Sequence, residues 1–233
     1  MLTVVMNNSG NSGKSTVSDN VLEPRMDNAK VIRIESINSH DGNADENMTG
    51  KQYGDIVNGI VIYDNAIIDV GSSNVEIWQR LMRQYKGSHE IWDYYVIPVV
   101  PSNKQMVDTI ATIESLSEMG VPAEKIRLIF NKVESEDVDL EKAFAPVFAY
   151  YNAEKTFTLN KNAVVYDHEF FSRARDEGMS IRDILQDETN FNEMIKSAET
   201  PADKVNWSRK RALKYLAVDM NEKLDVAFKA LFE

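Results

Sequence analysis

The 233-residue sequence contains no cysteine, which excludes a disulfide framework, a thiolate zinc site and a cysteine nucleophile together. It also lacks any uninterrupted apolar run near the length of about 18 residues that marks a candidate membrane helix. No basic segment precedes the first apolar residues, so a signal peptide is not predicted either. The absence of cysteine does not reveal the redox compartment, but the lack of a membrane span and of a signal peptide predicts a cytoplasmic protein.

Positive charge is also scarce, because 26 lysines and arginines face 37 aspartates and glutamates and give a formal net charge of −11. A protein that grips nucleic acid with its whole surface needs an excess of cations, so the balance argues against that class and leaves room only for a local basic patch. With 43% hydrophobic and 27% charged residues, the composition is typical of a globular protein, and the length allows one well-buried core or two small ones, of which one domain is favoured.

Short apolar runs alternate with helical patterns along most of the chain, which favours βα units and a mostly parallel sheet. A polar segment at 38–59 has four glycines and little periodicity, and it reads as a long loop. Near the carboxyl end, Thr200 and Pro201 start a helix with one apolar stripe. The runs predict strands at 2–6, 31–34, 60–70 in two pieces, 94–100 and 126–130.

The most informative segment lies at the amino end, where an apolar strand leads into a loop of small residues and then into a helix. The loop ends in Gly13-Lys14-Ser15-Thr16. Backbone N–H groups can surround the phosphates of a nucleotide only where the chain curls closely, which Gly10 and Gly13 permit. The positive helix end and the Lys14 ammonium group would hold the phosphates, and the Ser15 hydroxyl is placed to ligate Mg²⁺. The segment therefore predicts a phosphate-binding loop.

One position departs from the usual pattern of such loops, which begins with glycine where this sequence has Asn8. The alternative is a surface turn that contains Gly-Lys-Ser by chance. The order of strand, small-residue loop and helix argues against that alternative.

Two further strand ends offer polar groups. In Ala66-Ile67-Ile68-Asp69-Val70-Gly71 an apolar strand ends in an acid, and a phosphate-bound Mg²⁺ needs a carboxylate close by. The alternative for Asp69 is a turn residue or a helix cap. Asn131 follows the strand at 126–130, and its amide offers the donor and acceptor that a nucleobase edge requires, although this signal alone is not specific.

These motifs, in this order, resemble the ParA/MinD superfamily of deviant Walker ATPases, and within it the StbB-type plasmid stability proteins. The resemblance covers most of residues 1–185 and is most specific at the loop and at Asp69-Val70-Gly71. It implies an α/β P-loop NTPase fold with a doubly wound, mainly parallel sheet flanked by helices and a C-terminal helical extension. We therefore expect one ATPase domain over 1–233, with its core at 1–185 and C-terminal helices at 186–233.

The resemblance also implies the cofactors, ATP or ADP with Mg²⁺, and the residues that bind them. Lys14 and Asp69 would act in catalysis, Ser15 and Asp69 would serve the metal, and Asn131 would lie by the adenine. Pro101 would open the loop near the base and the dimer face. The contacts in the phosphate loop would come from Ser9, Gly10, Asn11, Ser12, Gly13, Lys14, Ser15 and Thr16.

Two departures from the family matter for catalysis. By alignment on Lys14, the signature lysine that reaches into the partner's active site is replaced by Ser9, and an acid that often follows the second strand is replaced by Ile37. Glu35, or an acid such as Asp41, would substitute in water activation. Because loss of a transition-state cation slows phosphoryl transfer on the order of 10³-fold, we expect slow or partner-activated hydrolysis.

The implied function is a nucleotide switch that forms a homodimer with ATP and acts in plasmid stability, partition or positioning, with a DNA-binding adaptor encoded elsewhere. The polar segment 38–59 is a plausible element for the γ-phosphate to order. A basic cluster on the last helix is either a solvated face or, doubled in a dimer, a non-specific DNA-binding patch. It consists of Lys204, Arg209, Lys210, Arg211 and Lys214.

Two other functions stay open. A P-loop kinase would need an acceptor pocket and a cationic lid, for which Arg173 and Arg175 are the close basic pair. A non-catalytic adaptor that binds nucleotide for structure alone is suggested by the missing lysine. Metal binding at Tyr166-Asp167-His168-Glu169 is not predicted, because adjacent residues cannot all converge on one ion in regular structure.

Overall fold

The computed structural model describes residues 1–34 and 49–233. Across these two ranges six strands form one sheet in the order β2-β3-β1-β4-β5-β6, and every pair of neighbours is parallel. The predicted parallel sheet is therefore confirmed. The strands are β1 Leu2–Val5, β2 Lys30–Ile34, β3 Ala66–Val70, β4 Tyr94–Val99, β5 Ile126–Val133 and β6 Val164–Tyr166.

Helices follow most of the strands. The first is α1 at Lys14–Thr16, which continues as a π-helix at Val17–Leu22 and a 3₁₀ turn at Glu23–Arg25. We call the whole run 14–25 the loop helix. The others are α2 Gly50–Gly59, α3 Ser72–Gln84, α4 Asn103–Glu118, α5 Leu140–Ala143, α6 Ala145–Glu154, α7 Glu169–Asp176, α8 Ile181–Gln186, α9 Phe191–Ser197 and α10 Pro201–Phe232.

The chain reverses its direction across the sheet at β2. From β1 it moves to the edge strand β2, returns through β3, and then passes β1 to reach β4, β5 and β6. Because parallel crossovers are right-handed, opposite directions of travel place the connecting helices on opposite faces of the sheet. The loop helix accordingly packs on one face, and α2, α3, α4 and α6 pack on the other, which is a doubly wound arrangement.

Both faces of the sheet are buried, so successive strand residues enter two separate cores. This double burial explains why the strands read as continuous apolar runs in the sequence rather than as alternating ones. The core under the loop helix and α10 contains Val5, Ile67, Val96 and Ile129, and the opposite core contains Val4, Ile68, Ile97 and Phe130.

The C-terminal helix α10 belongs to the core under the loop helix. It is 32 residues long, so it spans about 48 Å. The Thr200 hydroxyl accepts a hydrogen bond from the Asp203 backbone N–H at 3.1 Å, which confirms the predicted start. Arg25 of the loop helix donates to the Asp225 carboxylate at 2.6 Å and so ties the two helices together. The buried stripe includes Leu213, Ala217, Met220, Leu224, Ala227 and Leu231.

Three local predictions differ from the structure. Within 38–59, residues 50–59 form α2 rather than a loop, because Thr49 and Gln52 make a capping box and Tyr53 is buried 4.9 Å from the Trp78 ring. The first piece of the predicted strand at 60–70 is a 3₁₀ turn at Ile60–Ile62. The short strand β6 has no counterpart among the predicted strands, and Glu35 and Asp41 lie outside the described residues.

No helix within residues 1–34 or 49–233 combines the length and apolar character that crossing a membrane requires.

The packing of α10 on the sheet gives a test of whether residues 186–233 are part of the same folding unit. Leu224 is fully buried, whereas Val226 on the same helix is 55% exposed. Leu224→Ala should lower the free energy of unfolding by about 2–5 kcal/mol through the lost burial and the cavity it leaves. Val226→Ala should change it by less than about 0.5 kcal/mol. Urea denaturation measures both, and two equal effects would contradict this packing.

Candidate nucleotide-binding site

The loop that follows β1 emerges at the carboxyl edge of the sheet, between β3 and β4. Gly13 is the N-cap of α1 and has a φ of +86°, a left-handed conformation that favours glycine. A Cβ atom at this position would lie only 1.8 Å from the Asn131 side-chain nitrogen. The loop helix can therefore begin here only because residue 13 has no side chain.

Asn131, at the end of β5, holds the loop from below. Its side chain is 2% exposed, and its amide nitrogen donates to the Ser12 carbonyl at 2.8 Å. The amide oxygen accepts from the Lys132 backbone N–H at 2.9 Å. The structure thus commits the Asn131 amide to the loop and to its own strand end, and its predicted contact with adenine stays a prediction.

Helix α4 holds the loop from the side through one polar face. The Gln105 side chain donates to the Gly10 carbonyl at 2.8 Å, and the Thr112 hydroxyl accepts from the Asn8 backbone N–H at 3.1 Å. Between them, the Thr109 hydroxyl accepts from the Asn7 amide at 2.7 Å. Residues spaced by three and four lie on one face of a helix, so α4 runs along the loop.

The sequence patterns did not single out these residues of α4. The available signal was a pair of threonines at the spacing of an otherwise apolar buried face, and both are fully buried in the structure.

Lys14 lies inside the curl of the loop. Its ammonium group donates to the Ser9 carbonyl at 3.0 Å and to the Asn7 carbonyl at 3.3 Å. Burial lowers the pKa of Lys14, and the negative charge of Asp69 opposes that shift. The cation is therefore placed where a bound anion would find it partly stripped of water.

The two predicted metal ligands come together, because α1 and β3 meet at the carboxyl edge of the sheet. The Ser15 hydroxyl hydrogen-bonds the Asp69 carboxylate, and Asp69 is only 4% exposed. Burial raises the pKa of Asp69, and the bond from Ser15 is the largest opposing effect. A hydroxyl and a carboxylate oxygen fit Mg²⁺, which is usually held by one or two carboxylates together with substrate phosphates and water.

An ion pair that the sequence patterns do not reveal stands beside Asp69. Arg33 of β2 pairs with Asp19 on the π-helical turn. Burial raises the pKa of Asp19, and Arg33 opposes the rise. The negative charge of Asp19 favours the protonated form of Asp69, whereas Arg33 and Lys14 favour its carboxylate. Asp19 lies five positions beyond Lys14, and only the fold shows that it reaches the same site.

Two cavities flank Thr16. The smaller, of about 290 Å³, lies beyond the ends of β5 and β6 and is lined by Asn131, Tyr166 and His168 among others. The larger, of about 610 Å³, lies between the loop helix and α7–α8 and reaches Ser15. The segment at 166–169, to which the sequence assigns no role, therefore borders the site.

The remaining predicted residues are placed as follows. Ser9 is 6% exposed and its backbone N–H donates to the Asn7 side chain at 2.8 Å, so it belongs to the wall of the loop. Pro101 is exposed in the turn between β4 and α4, at the same edge of the sheet. Asn11, with a φ of +58°, is exposed in the loop, whereas Glu35 lies outside the described residues.

The basic cluster on α10 does not form one free face. The Arg211 guanidinium donates to the Asn192 side chain at 2.6 Å, and the Lys214 ammonium group donates to the Asp187 carbonyl. Lys204 and Arg209 are exposed. Two of the five cations thus fasten α10 to the preceding segments.

Comparison with solved structures identifies the fold. Apo McdA from Cyanothece is similar with a TM-score of 0.56 and 14% identity, over 98% of this chain and 98% of that one. The MinD cell division protein of Aquifex aeolicus gives 0.52 and 13%, over 91% and 95%. The MinC:MinD complex of the same organism gives 0.53 and 14%, over 91% and 94%.

These identities show the fold alone, which is the P-loop NTPase fold with the architecture of MinD and McdA. No family model matches the sequence, and no curated protein matches it. The particular likeness to StbB-type proteins stays a prediction.

The close approach at Gly13 gives a test of the loop that needs no ligand. Gly13→Ala should lower the free energy of unfolding by about 2–4 kcal/mol, because the left-handed φ becomes strained and the Asn131 amide is displaced from Ser12.

Gly10→Ala is the matched control, since its Cβ would meet only the Ser72 hydroxyl oxygen at 3.7 Å, an ordinary contact. Thermal or urea unfolding of the nucleotide-free variants measures both changes. Equal stability of the two variants would show that Asn131 does not restrict position 13.

Proposed function

We propose that this chain, built on the P-loop NTPase fold, is a Mg²⁺-dependent ATP-binding switch protein that hydrolyses ATP slowly. The observation that supports the proposal is the convergence of Lys14, Ser15 and Asp69 around a glycine-bearing loop at the start of a helix. Each of these groups has a partner in the loop or at the strand end that a triphosphate and its metal can replace or share.

Binding would exchange weak partners for strong ones. The Lys14 ammonium group now donates to two backbone carbonyls, and phosphate oxygens, which are charged, would accept its hydrogen bonds better. The loop amides and the positive end of the loop helix would hold the remaining oxygens. Bound Mg²⁺, held by Ser15 and Asp69, would neutralise charge on the β- and γ-phosphates.

The chemistry would be in-line attack of water on the γ-phosphate, with Lys14 and the loop amides stabilising the charge of the transition state. We propose Glu35 as the residue that orients or activates this water. Ser9 occupies the position of the family's signature lysine and is buried in the wall of the loop. No lysine from a partner would then enter the site from that position, which supports slow hydrolysis or activation by another protein.

We further propose that ATP drives formation of a homodimer and that the dimer acts in plasmid stability, partition or positioning with a DNA-binding adaptor. The similarity to MinD, which has been solved as a MinC:MinD complex, supports a role through partners. The exposed position of Pro101, at the same edge of the sheet as the loop, suits a residue near a dimer face. Asn131 and Pro101 would then border the base, and the protein would work in the cytoplasm.

Direct DNA binding would depend on the exposed part of the basic cluster and on its doubling in the dimer. Lys204 and Arg209 are the exposed members, whereas Arg211 and Lys214 have partners within the chain. A DNA affinity that falls with salt, appears only with ATP and is lost in the Lys204→Ala/Arg209→Ala double variant would support it. Absence of such an affinity assigns the cluster to the solvated surface of α10.

A small-molecule kinase is the second candidate, and the cavity of about 610 Å³ favours it. This cavity reaches Ser15, has the size of a ligand pocket, and is lined by Arg175, as an acceptor site with a cationic residue would be. Release of free inorganic phosphate in step with ADP supports the switch, and a phosphorylated metabolite in its place supports the kinase.

The first prediction from this proposal concerns Lys14. Lys14→Ala should weaken binding of Mg²⁺-ATP about 10- to 100-fold, because a charge-assisted contact to phosphate is lost. Lys30→Ala is the matched control, since Lys30 is exposed at the opposite, amino end of the sheet and should leave the affinity unchanged. Calorimetric titration measures both. If the unaltered protein gives no heat of binding with Mg²⁺-ATP, the proposal is wrong.

The second prediction concerns the switch. Mass measurement in solution should give a dimer with ATP and a monomer with ADP or without nucleotide, and Lys14→Ala should stay monomeric with ATP.

A single-turnover assay should show phosphate release by the unaltered protein and none by Lys14→Ala. Binding without any phosphate release would instead support a non-catalytic adaptor.

A further inference from the structure

Arg175 stands at the junction of the two cavities that flank the phosphate loop. It lines both the cavity of about 290 Å³ and that of about 610 Å³, and the only residue of the loop motif that also lines both is Thr16. Phe171, one helical turn earlier on α7, accompanies Arg175 in both linings. Helix α7 therefore places a cation on the same two cavities that Thr16 of the loop borders.

The guanidinium group of Arg175 has no hydrogen-bond or ion-pair partner among residues 1–34 and 49–233. Its neighbours differ in this respect. Arg33 pairs with Asp19, Arg182 pairs with Glu23 at 2.8 Å, and on α7 itself Arg173 pairs with Glu169 at 2.8 Å. Arg175 is thus the arginine at this edge whose charge is not committed to a described protein group.

The negative charge of a bound nucleoside triphosphate would exceed the positive charge of the side chains around the loop. A nucleoside triphosphate brings several negative charges to a loop where Lys14 is the one lysine and the Asp69 carboxylate is already present. Arg33 is largely neutralised by its pair with Asp19, and Ser9 contributes no charge. An additional unpaired guanidinium group beside Thr16 would offset the excess, and its planar donors suit phosphate oxygens.

The position of Arg175 also indicates which phosphate it meets. Lys14 and Ser15 lie at the metal side, where the β- and γ-phosphates are expected, and the smaller cavity beyond β5 and β6 leads away from them. A nucleotide that runs from the loop into that cavity places its α-phosphate between the two, next to Thr16.

We propose that Arg175 binds the α-phosphate of the nucleotide in its own subunit. This inference rests on the proposed function, since it presupposes that the loop holds a nucleotide. The contact would be shared by ADP and ATP, so Arg175 would contribute to the affinity for both equally and would not distinguish the two states of the switch.

The experiment is calorimetric titration of ADP and of ATP, each with Mg²⁺, into the unaltered chain, Arg175→Ala and Arg173→Ala. Arg175→Ala should weaken both nucleotides by the same factor, about 10-fold or more. Arg173→Ala removes an arginine from the same helix whose charge is already paired, and it should change neither affinity by more than about twofold. Arg175→Lys should retain part of the affinity, because it keeps the charge and loses the planar fork.

The outcomes separate the two proposals. If the unaltered chain binds neither nucleotide, the proposed function fails. If it binds and Arg175→Ala matches Arg173→Ala, the assignment of Arg175 is overturned while the proposed function stands. Loss of ATP affinity with ADP affinity intact overturns the α-phosphate assignment. The unfolding temperature without nucleotide should be the same for all four proteins, since Arg175 is exposed. If Arg175→Ala does not fold, the nucleotide affinities of Arg175→Lys and Arg173→Ala are compared instead, and equal affinities overturn the assignment of Arg175.

Discussion

The candidate site depends on one close approach, that of the Asn131 side chain to the backbone of the loop that precedes α1. The loop can curl tightly at the carboxyl edge of the sheet only because Gly13 leaves room for this amide, and the amide in return fixes the Ser12 carbonyl. Strand β5 thereby sets the height of the loop above the sheet. The loop helix begins directly after Gly13, and its first two residues are the buried Lys14 and Ser15, which meets Asp69.

Much of this architecture could be predicted from the sequence because it depends on local patterns. Strands buried on both faces appear as apolar runs, and a loop of small residues between a strand and a helix is typical of phosphate binding. Asp69 could be singled out because it is the acid near the end of such a run, two positions before Gly71. Thr200 and Asp203 likewise fixed the start of α10, since a capping interaction involves residues only three positions apart.

The rest could not be predicted because it depends on contacts between distant parts of the chain. Asn131 is separated from Ser12 by 119 positions, and a single amide at a strand end gives no indication of its partner. Asp19 reaches Asp69 from a π-helical turn, whose register an α-helical pattern does not reproduce. Helix α2 was hidden by its glycines, whose cost the Thr49 cap and the burial of Tyr53 offset.

The polar face of α4 has a mechanical consequence. Three of its side chains, at positions 105, 109 and 112, are bonded to successive parts of the loop or to the Asn7 amide beneath it. Because α4 is a rigid helix held to the loop by several hydrogen bonds, a rearrangement of the loop that keeps these bonds tilts or shifts the whole helix. The turn at Pro101 lies just before the amino end of α4, which is 16 residues long. A small movement of the loop around a ligand would thus shift α4 as one unit, together with the exposed turn at Pro101.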